Sequence, residues 1–173
     1  IGSAQAVFRE KPSILRAVPE IGRVTAEAIS NADLQRAERE VEFILREGIR
    51  VAAWNDSHYP YRLRQCDDSP LILYARGNFE WNPRKSISIV GTRKADNYGR
   101  QFCNTFLQEL SIHNPTIVSG LAHGIDAMAH TAAVDYNLPT IACVAHGLNQ
   151  IYPPIHKALA SRMELNGGII SEF

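Results

Sequence analysis

Lys85-Ser86-Ile87-Ser88-Ile89-Val90-Gly91-Thr92-Arg93-Lys94-Ala95-Asp96-Asn97 is the stretch that decides the fold. Ile87 to Val90 reads as a buried strand, and Gly91 turns the chain. A helix follows over about Asn97 to Leu110, with Phe102, Phe106, Leu107 and Leu110 along one face. The same rhythm then repeats. Thr116 to Ser119 is a second strand, Ile125 to Tyr136 a second helix, Thr140 to Val144 a third strand and Lys157 to Leu165 a third helix. Ile169-Ile170-Ser171 starts a fourth strand. Apolar strands alternating with helices predict a parallel sheet with helices on both faces. Right-handed crossovers make it a doubly wound, Rossmann-like α/β layer. The last strand has no covering helix after it, so the fold is expected to be C-terminally incomplete.

Outward from this core, residues 48–84 read as a connector with β character. Ile49-Arg50-Val51 and Leu71-Ile72-Leu73-Tyr74 look like short strands around a turn-rich Trp54-to-Pro60 segment. Residues 1–47 read as a small helical module. Leu34, Ala37, Val41, Ile44 and Leu45 recur at helical spacing, with Asn31 or Asp33 as N-cap and Gly48 as the stop. Before it, Ile14 to Val18 and Val24 to Ile29 are short helices flanking the turn Pro19-Glu20-Ile21-Gly22. Two domains are expected, 1–47 and 48–173, the second divided into the 48–84 connector and the 85–173 core.

Of the 173 residues, 45% are hydrophobic and 21% charged, the balance of an ordinary globular protein rather than a disordered or collagenous one. No apolar run approaches the ~18 residues of a membrane helix. With no secretory leader pattern at the N-terminus, a cytoplasmic protein without membrane association is expected. The three cysteines, Cys66, Cys103 and Cys143, fit reduced, buried thiols rather than a disulfide framework. Eighteen basic residues balance eighteen acidic ones, which argues against a bulk nucleic-acid glue. A neutral total still leaves room for one basic site, since Arg84, Lys85, Arg93, Lys94 and Arg100 cluster against the single acid Asp96.

Ligands of open α/β sheets bind at the carboxyl ends of the strands. After the first core strand, Arg93 and Lys94 stand beside a helix start that Asp96 caps, where free amides and the dipole favour anions. After the second strand, Ser119-Gly120-Leu121-Ala122-His123-Gly124 offers Gly120 and Gly124 as positions that leave the amides open to a phosphate. Two such loops side by side predict an anion-binding crest. Neither a Walker A loop nor a dinucleotide fingerprint is present, so no cofactor is expected. His123, Asp126 and His130 share a helical face, yet their spacing lacks the form of a zinc site; Asp126 and His130 read as a pair that holds the helix start, and no metal is expected. No nucleophile stands out, and no catalytic residue is assigned.

The motifs Ile89-Val90-Gly91-Thr92-Arg93, Tyr98-Gly99, Ser119-Gly120-Leu121-Ala122-x-Gly124-Ile125-Asp126-x-x-Ala129-His130, Ile151-Tyr152-Pro153-Pro154 and Ser171-Glu172-Phe173 occur in one order. In that order they resemble the DprA/Smf family of bacterial DNA-processing proteins, from about Ile49 to the end. The resemblance implies an extended Rossmann fold and a non-enzymatic homodimer. Its expected role is to bind and protect single-stranded DNA and load RecA recombinase on it during natural transformation. It places the family's Gly-Ser-Arg on Gly91, Thr92 and Arg93, and its serine-glycine loop on Ser119, Gly120 and Gly124. Lys94 and Arg100 are then further cations for the phosphates. Tyr98 or Tyr152 is either a stacking platform or a packing residue. Lys85 is expected at the far end of its strand. Where some members carry lysine after the Tyr-Pro this chain has Pro154, and His156 replaces the usual asparagine. The family continues past Ser-Glu-Phe through a basic segment, so the chain reads as truncated.

Leu15-x-x-Val18-Pro19-Glu20-Ile21-Gly22 looks like a helix-hairpin-helix, in a SAM-like setting. Glu20 replaces its first hairpin glycine and would repel a phosphate, so a packing or protein-contact role is expected. Two alternatives belong to other classes. One is a nucleotide N-glycosidase of the lysine-decarboxylase-like Rossmann group, and the other is a recombinase scaffold without DNA affinity.

Overall fold

The computed structural model describes residues 3–173; the first two residues of the expected helical module lie outside the described residues. The chain divides into two compact units, Ile1–Glu47 and Gly48–Phe173.

The first unit is helical. Helix α1 (Ala4–Arg9) is capped by Ser3, whose hydroxyl accepts from the Ala6 amide, and α2 (Pro12–Leu15) starts on a proline whose missing N–H costs nothing there. Helix α3 (Arg23–Ser30) follows a turn in which Glu20 holds φ +69°, a left-handed conformation that favours glycine. The hairpin turn therefore keeps its backbone shape despite the substitution. Helices α2 and α3 pack on each other, and Leu15 and Ala26 are their buried residues. Helix α4 (Leu34–Arg46) is N-capped by Asp33, which accepts from the Arg36 amide at 3.1 Å. Gly48, at φ +63°, ends it.

The second unit carries one six-stranded sheet in the order β1-β2-β6-β5-β4-β3. Its elements are β1 (Arg50–Ala53), β2 (Ile72–Gly77), β3 (Ser86–Ser88), α5 (Asn97–Leu110), β4 (Thr116–Ser119), α6 (Ile125–Asp135), β5 (Thr140–Cys143), α7 (Lys157–Met163) and β6 (Gly167–Ser171). Strands β3, β4, β5 and β6 are parallel, as the βαβ rhythm requires. The connector differs from its expected role. Its strands join the same sheet, β2 lying antiparallel on β6 with Ala75 opposite Ile170, and β1 antiparallel on β2. The sheet is therefore mixed, α/β and Rossmann-like.

Side chains alternate across the sheet. Ile117 on β4 faces the helices, where Leu107 of α5 and Ala129, Ala132 and Ala133 of α6 complete the main core. Full burial of Leu107 and of Ile117 contributes about 2–3 kcal/mol each. On the opposite side, over β1, β2 and β6, Ala52, Leu73 and Ile170 are covered by Tyr59, Trp81 and Leu63, the last from a 3-10 turn (Leu63–Gln65). Tyr59 is fully buried and its hydroxyl donates to the Pro70 carbonyl at 2.6 Å. Helical structure thus flanks the sheet on both sides. Among the described residues no helix is long and apolar enough to cross a membrane. All three cysteines are free thiols, but only Cys103 is buried; Cys66 and Cys143 are exposed, because loop and sheet end leave them uncovered.

At the start of β6, between β5 and β2, Gly168 has no room for a side chain. A Cβ on Gly168 would overlap the Arg76 carbonyl oxygen and come within 2.9 Å of the Phe79 ring. The carbonyl belongs to the ladder and has nowhere to go. Gly168→Ala is expected to destabilise the second unit by at least ~2 kcal/mol, read as a lower urea midpoint at unchanged slope. A midpoint equal to that of the unaltered chain would show that β2 and β6 are not packed in this register.

Candidate nucleic-acid interface

The loop after β3 and the loop after β4 meet at the carboxyl end of the sheet. Gly124, at φ +80°, lies so close to the first loop that a Cβ there would overlap the Thr92 carbonyl and reach within 2.8 Å of Arg93 Cα. The Ile125 amide, first of α6, donates to that same Thr92 carbonyl at 3.1 Å. Ile125 also fills the space in front of Gly91 and Gly99, whose Cβ atoms would fall 2.6 and 2.9 Å from its side chain. Within the first loop, Thr92 Oγ1 accepts from the Lys94 amide at 3.1 Å, and Asp96 caps α5 by accepting from Gly99 at 2.9 Å.

These contacts give several of the residues expected to cradle a phosphate a packing or bonding partner within the protein. Gly120 and Gly124 are half-exposed, and the side chains they lack leave room for protein neighbours. Asp126, 8% exposed, puts its carboxylate against Gly120 and accepts from the Ala122 amide, while Gly124 makes room for the first loop. Ser119 is buried and donates to the Ile89 carbonyl at 2.6 Å, tying the end of β4 to the chain just past β3. The residues left facing solvent are Gly91, Thr92, Arg93 and Lys94, with Tyr98 and Arg100 on the first turn of α5. Tyr98 is 76% exposed and Tyr152 68%, so neither is a packing residue. None of Arg93, Lys94 and Arg100 forms an ion pair among the described residues. Lys85 lies away at the other end of β3, its Nζ donating to the His113 carbonyl.

Below the crest, the expected Asp126–His130 pairing is replaced by a different bond. Thr140 gives its hydroxyl proton to the Ile117 carbonyl at 3.1 Å, so His130 Nδ1 donates to Thr140 Oγ1 at 2.7 Å. The fully buried ring stays neutral: burial depresses its pKa to about 4, against a smaller opposing pull from the Asp126 charge. One pair of side chains escapes sequence reasoning altogether. His123, in the second loop, meets His156, just before α7, with ring centroids 5.3 Å apart and planes at 62°. Burial and the neighbouring His123 together lower the His156 pKa. No periodicity or motif links these two positions, so only the fold brings them together. Among the described residues, no three His, Cys, Asp or Glu side chains gather to hold a metal.

Residues 50–173 match the family described as DNA recombination-mediator protein A. The DNA processing protein DprA of Bacillus subtilis is 31% identical over 95% of this chain. The chain belongs to the DprA/Smf family. Two solved structures share the fold of this DprA/Smf chain at 27% identity. DprA from Streptococcus pneumoniae aligns over 95% of the chain with a TM-score of 0.76. DNA processing protein A from Helicobacter pylori, whose structure describes a single-stranded DNA binding mode, aligns over 73% with a TM-score of 0.63. The chain spans 59% of the Bacillus protein and 56% and 57% of the two structures' chains.

The neutral imidazole buried in this DprA/Smf crest has a measurable consequence. Because its folded pKa lies below the unfolded value near 6.5, the unfolded chain takes up the proton first as pH falls. Stability should drop between about pH 6.5 and pH 4, by roughly 2 kcal/mol from neutrality to pH 5. His130→Asn keeps a donor toward Thr140 and should flatten that dependence in urea titrations at the two pH values. An equally steep acid loss in the variant would place its source elsewhere.

Proposed function

We propose that this chain binds single-stranded DNA through the Gly91–Lys94 loop together with Tyr98 and Arg100. Ser119, Gly120 and Gly124 serve as the frame that holds the loop. The observation that carries the reading is the seating of the Thr92–Arg93 backbone on Gly124. It presents three unpaired cations and an exposed aromatic ring at one strand-end crest. Phosphates would meet the Arg93 fork, the Lys94 point charge and loop amides, and Tyr98 would stack on a base, each stack worth ~1–3 kcal/mol. The relative whose structure describes single-stranded DNA binding shares this fold. On the same reading, the whole protein protects single-stranded DNA in the cytoplasm, works as a homodimer and loads RecA recombinase on the strand during natural transformation. Its chemistry is binding rather than turnover.

The test is a titration of labelled single- and double-stranded oligonucleotides of equal length at several salt concentrations, with the chain and with Arg93→Ala. The single strand should bind more tightly than the duplex. Arg93→Ala should weaken it about tenfold and reduce the salt slope by about 0.7, the share of one phosphate contact. Binding by the unaltered chain that Arg93→Ala leaves untouched would remove the Gly91 loop from the interface. Recombinase capture without any DNA affinity would instead favour a pure scaffold.

A further inference from the structure

A groove of about 730 Å³ runs down the outer surface between α5 and α6, and its upper end is shared with the crest. Arg100 and Asn97 on the first turn of α5, Gly124 at the start of α6, and His156 all line that end. Below them Gln101 and Asn104 form an amide row on the α5 wall, opposite the smooth surface of Ala127 and Met128 on α6. The single carboxylate in the lining is Asp135, at the last residue of α6, where Arg162 Nη2 already holds it at 2.7 Å. The groove therefore begins with an unpaired cation and carries no free negative charge along its length, about 16 Å for the eleven residues of α6. The His123–His156 pair stands at its mouth, with His123 exposed and its ring braced edge-to-face by the half-buried His156.

We propose that single-stranded DNA leaving the Gly91 loop passes over His123 and continues into the groove between α5 and α6. There Arg100 meets a phosphate, and the Asn97 and Gln101 amides meet base edges. The track rests on the single-stranded DNA reading of the crest and extends it to a second, contiguous subsite. Several features fit this occupant. Histidine is among the rings on which unpaired bases stack, and a braced ring loses little freedom when a base lands on it. Asparagine and glutamine carry a donor and an acceptor each and suit exposed Watson–Crick edges without demanding one base. On the α6 wall, Ala127, Thr131 and Ala132 beside Met128 leave room for bases that a uniformly bulky helix face would exclude.

The experiment is fluorescence anisotropy with oligothymidylates of increasing length, on the unaltered chain and on His123→Ala, Ala127→Trp and Arg93→Ala. Urea titration confirms that each variant is folded. Ala127→Trp fills the groove from the α6 side and leaves the Gly91–Lys94 loop unaltered. For long oligonucleotides, His123→Ala and Ala127→Trp should each lose about tenfold in affinity, and the shortest ones should bind them normally. Arg93→Ala should weaken all lengths. In parallel, bromodeoxyuridine placed along the strand should photo-crosslink to His123 or Met128. If long strands bind His123→Ala and Ala127→Trp as they bind the unaltered chain, and no adduct forms at either residue, the track is overturned while the crest reading stands. Should Ala127→Trp fail to fold, His123→Ala and the crosslink decide alone. Absence of single-stranded DNA binding by the unaltered chain overturns the crest reading and the track together.

Discussion

The seating of the Thr92–Arg93 backbone on Gly124 is the contact on which the rest of the crest depends. It joins the loops after β3 and β4 at the level of main-chain atoms, and the Ile125 amide locks the join by donating to Thr92. Main-chain contacts and the short Thr92 and Asp96 side chains fix the first loop without recruiting its long cationic side chains. Arg93 and Lys94 are thus left over for a ligand. Ile125 supports the arrangement from below by filling the space in front of Gly91 and Gly99. Three glycines from three motifs are therefore one packing solution around a single isoleucine and a single carbonyl.

The same economy governs the polar groups beneath. Asp126 is buried against Gly120 and satisfies a loop amide; Ser119 satisfies the Ile89 carbonyl; His130 Nδ1 bonds Thr140, and Thr140 the Ile117 carbonyl, while His130 Nε2 is buried without a partner. Each of these bonds links one strand end to the next element. Unpaired buried polar groups are costly, so this network fixes the strand ends in one relative position. The penalty accepted for it is a histidine that must remain neutral, which makes the crest's support sensitive to acid.

Much of the fold was legible because each signal was local. The Ile87–Val90 run, the apolar face of α5 and the alternation that follows report on neighbours a few residues away, and the parallel order β3-β4-β5-β6 follows from them. The antiparallel docking of β2 on β6 was not legible. Ile72–Gly77 pairs with residues nearly a hundred positions later, and nothing in its own pattern names that partner. The candidate site divides along the same line. Exposure of the Gly91 loop cations could be read from their place at a helix start. The glycines' packing role could not, since a glycine beside a ligand and a glycine beside another loop look alike in sequence. Likewise His123 and His156 acquire meaning only once α6 and α7 are side by side.

Charge bookkeeping across the second unit explains how a chain with eighteen residues of each sign presents a basic edge. Its acids near the crest are committed to backbone: Asp96 caps α5 and Asp126 serves the Ala122 amide. Others are matched to cations lower down, Asp135 with Arg162 and Glu164 with Arg76. An acid paired with its own cation projects little field toward the crest, whereas Arg93, Lys94 and Arg100 have no ion-pair partner among the described residues. Screening confines that field to about 8–10 Å at physiological salt. On the proposed reading, a polyanion must therefore come close to the Gly91 loop before it feels the protein. Binding at one such edge would depend on local shape as much as on charge, which separates this arrangement from a uniformly basic nucleic-acid glue.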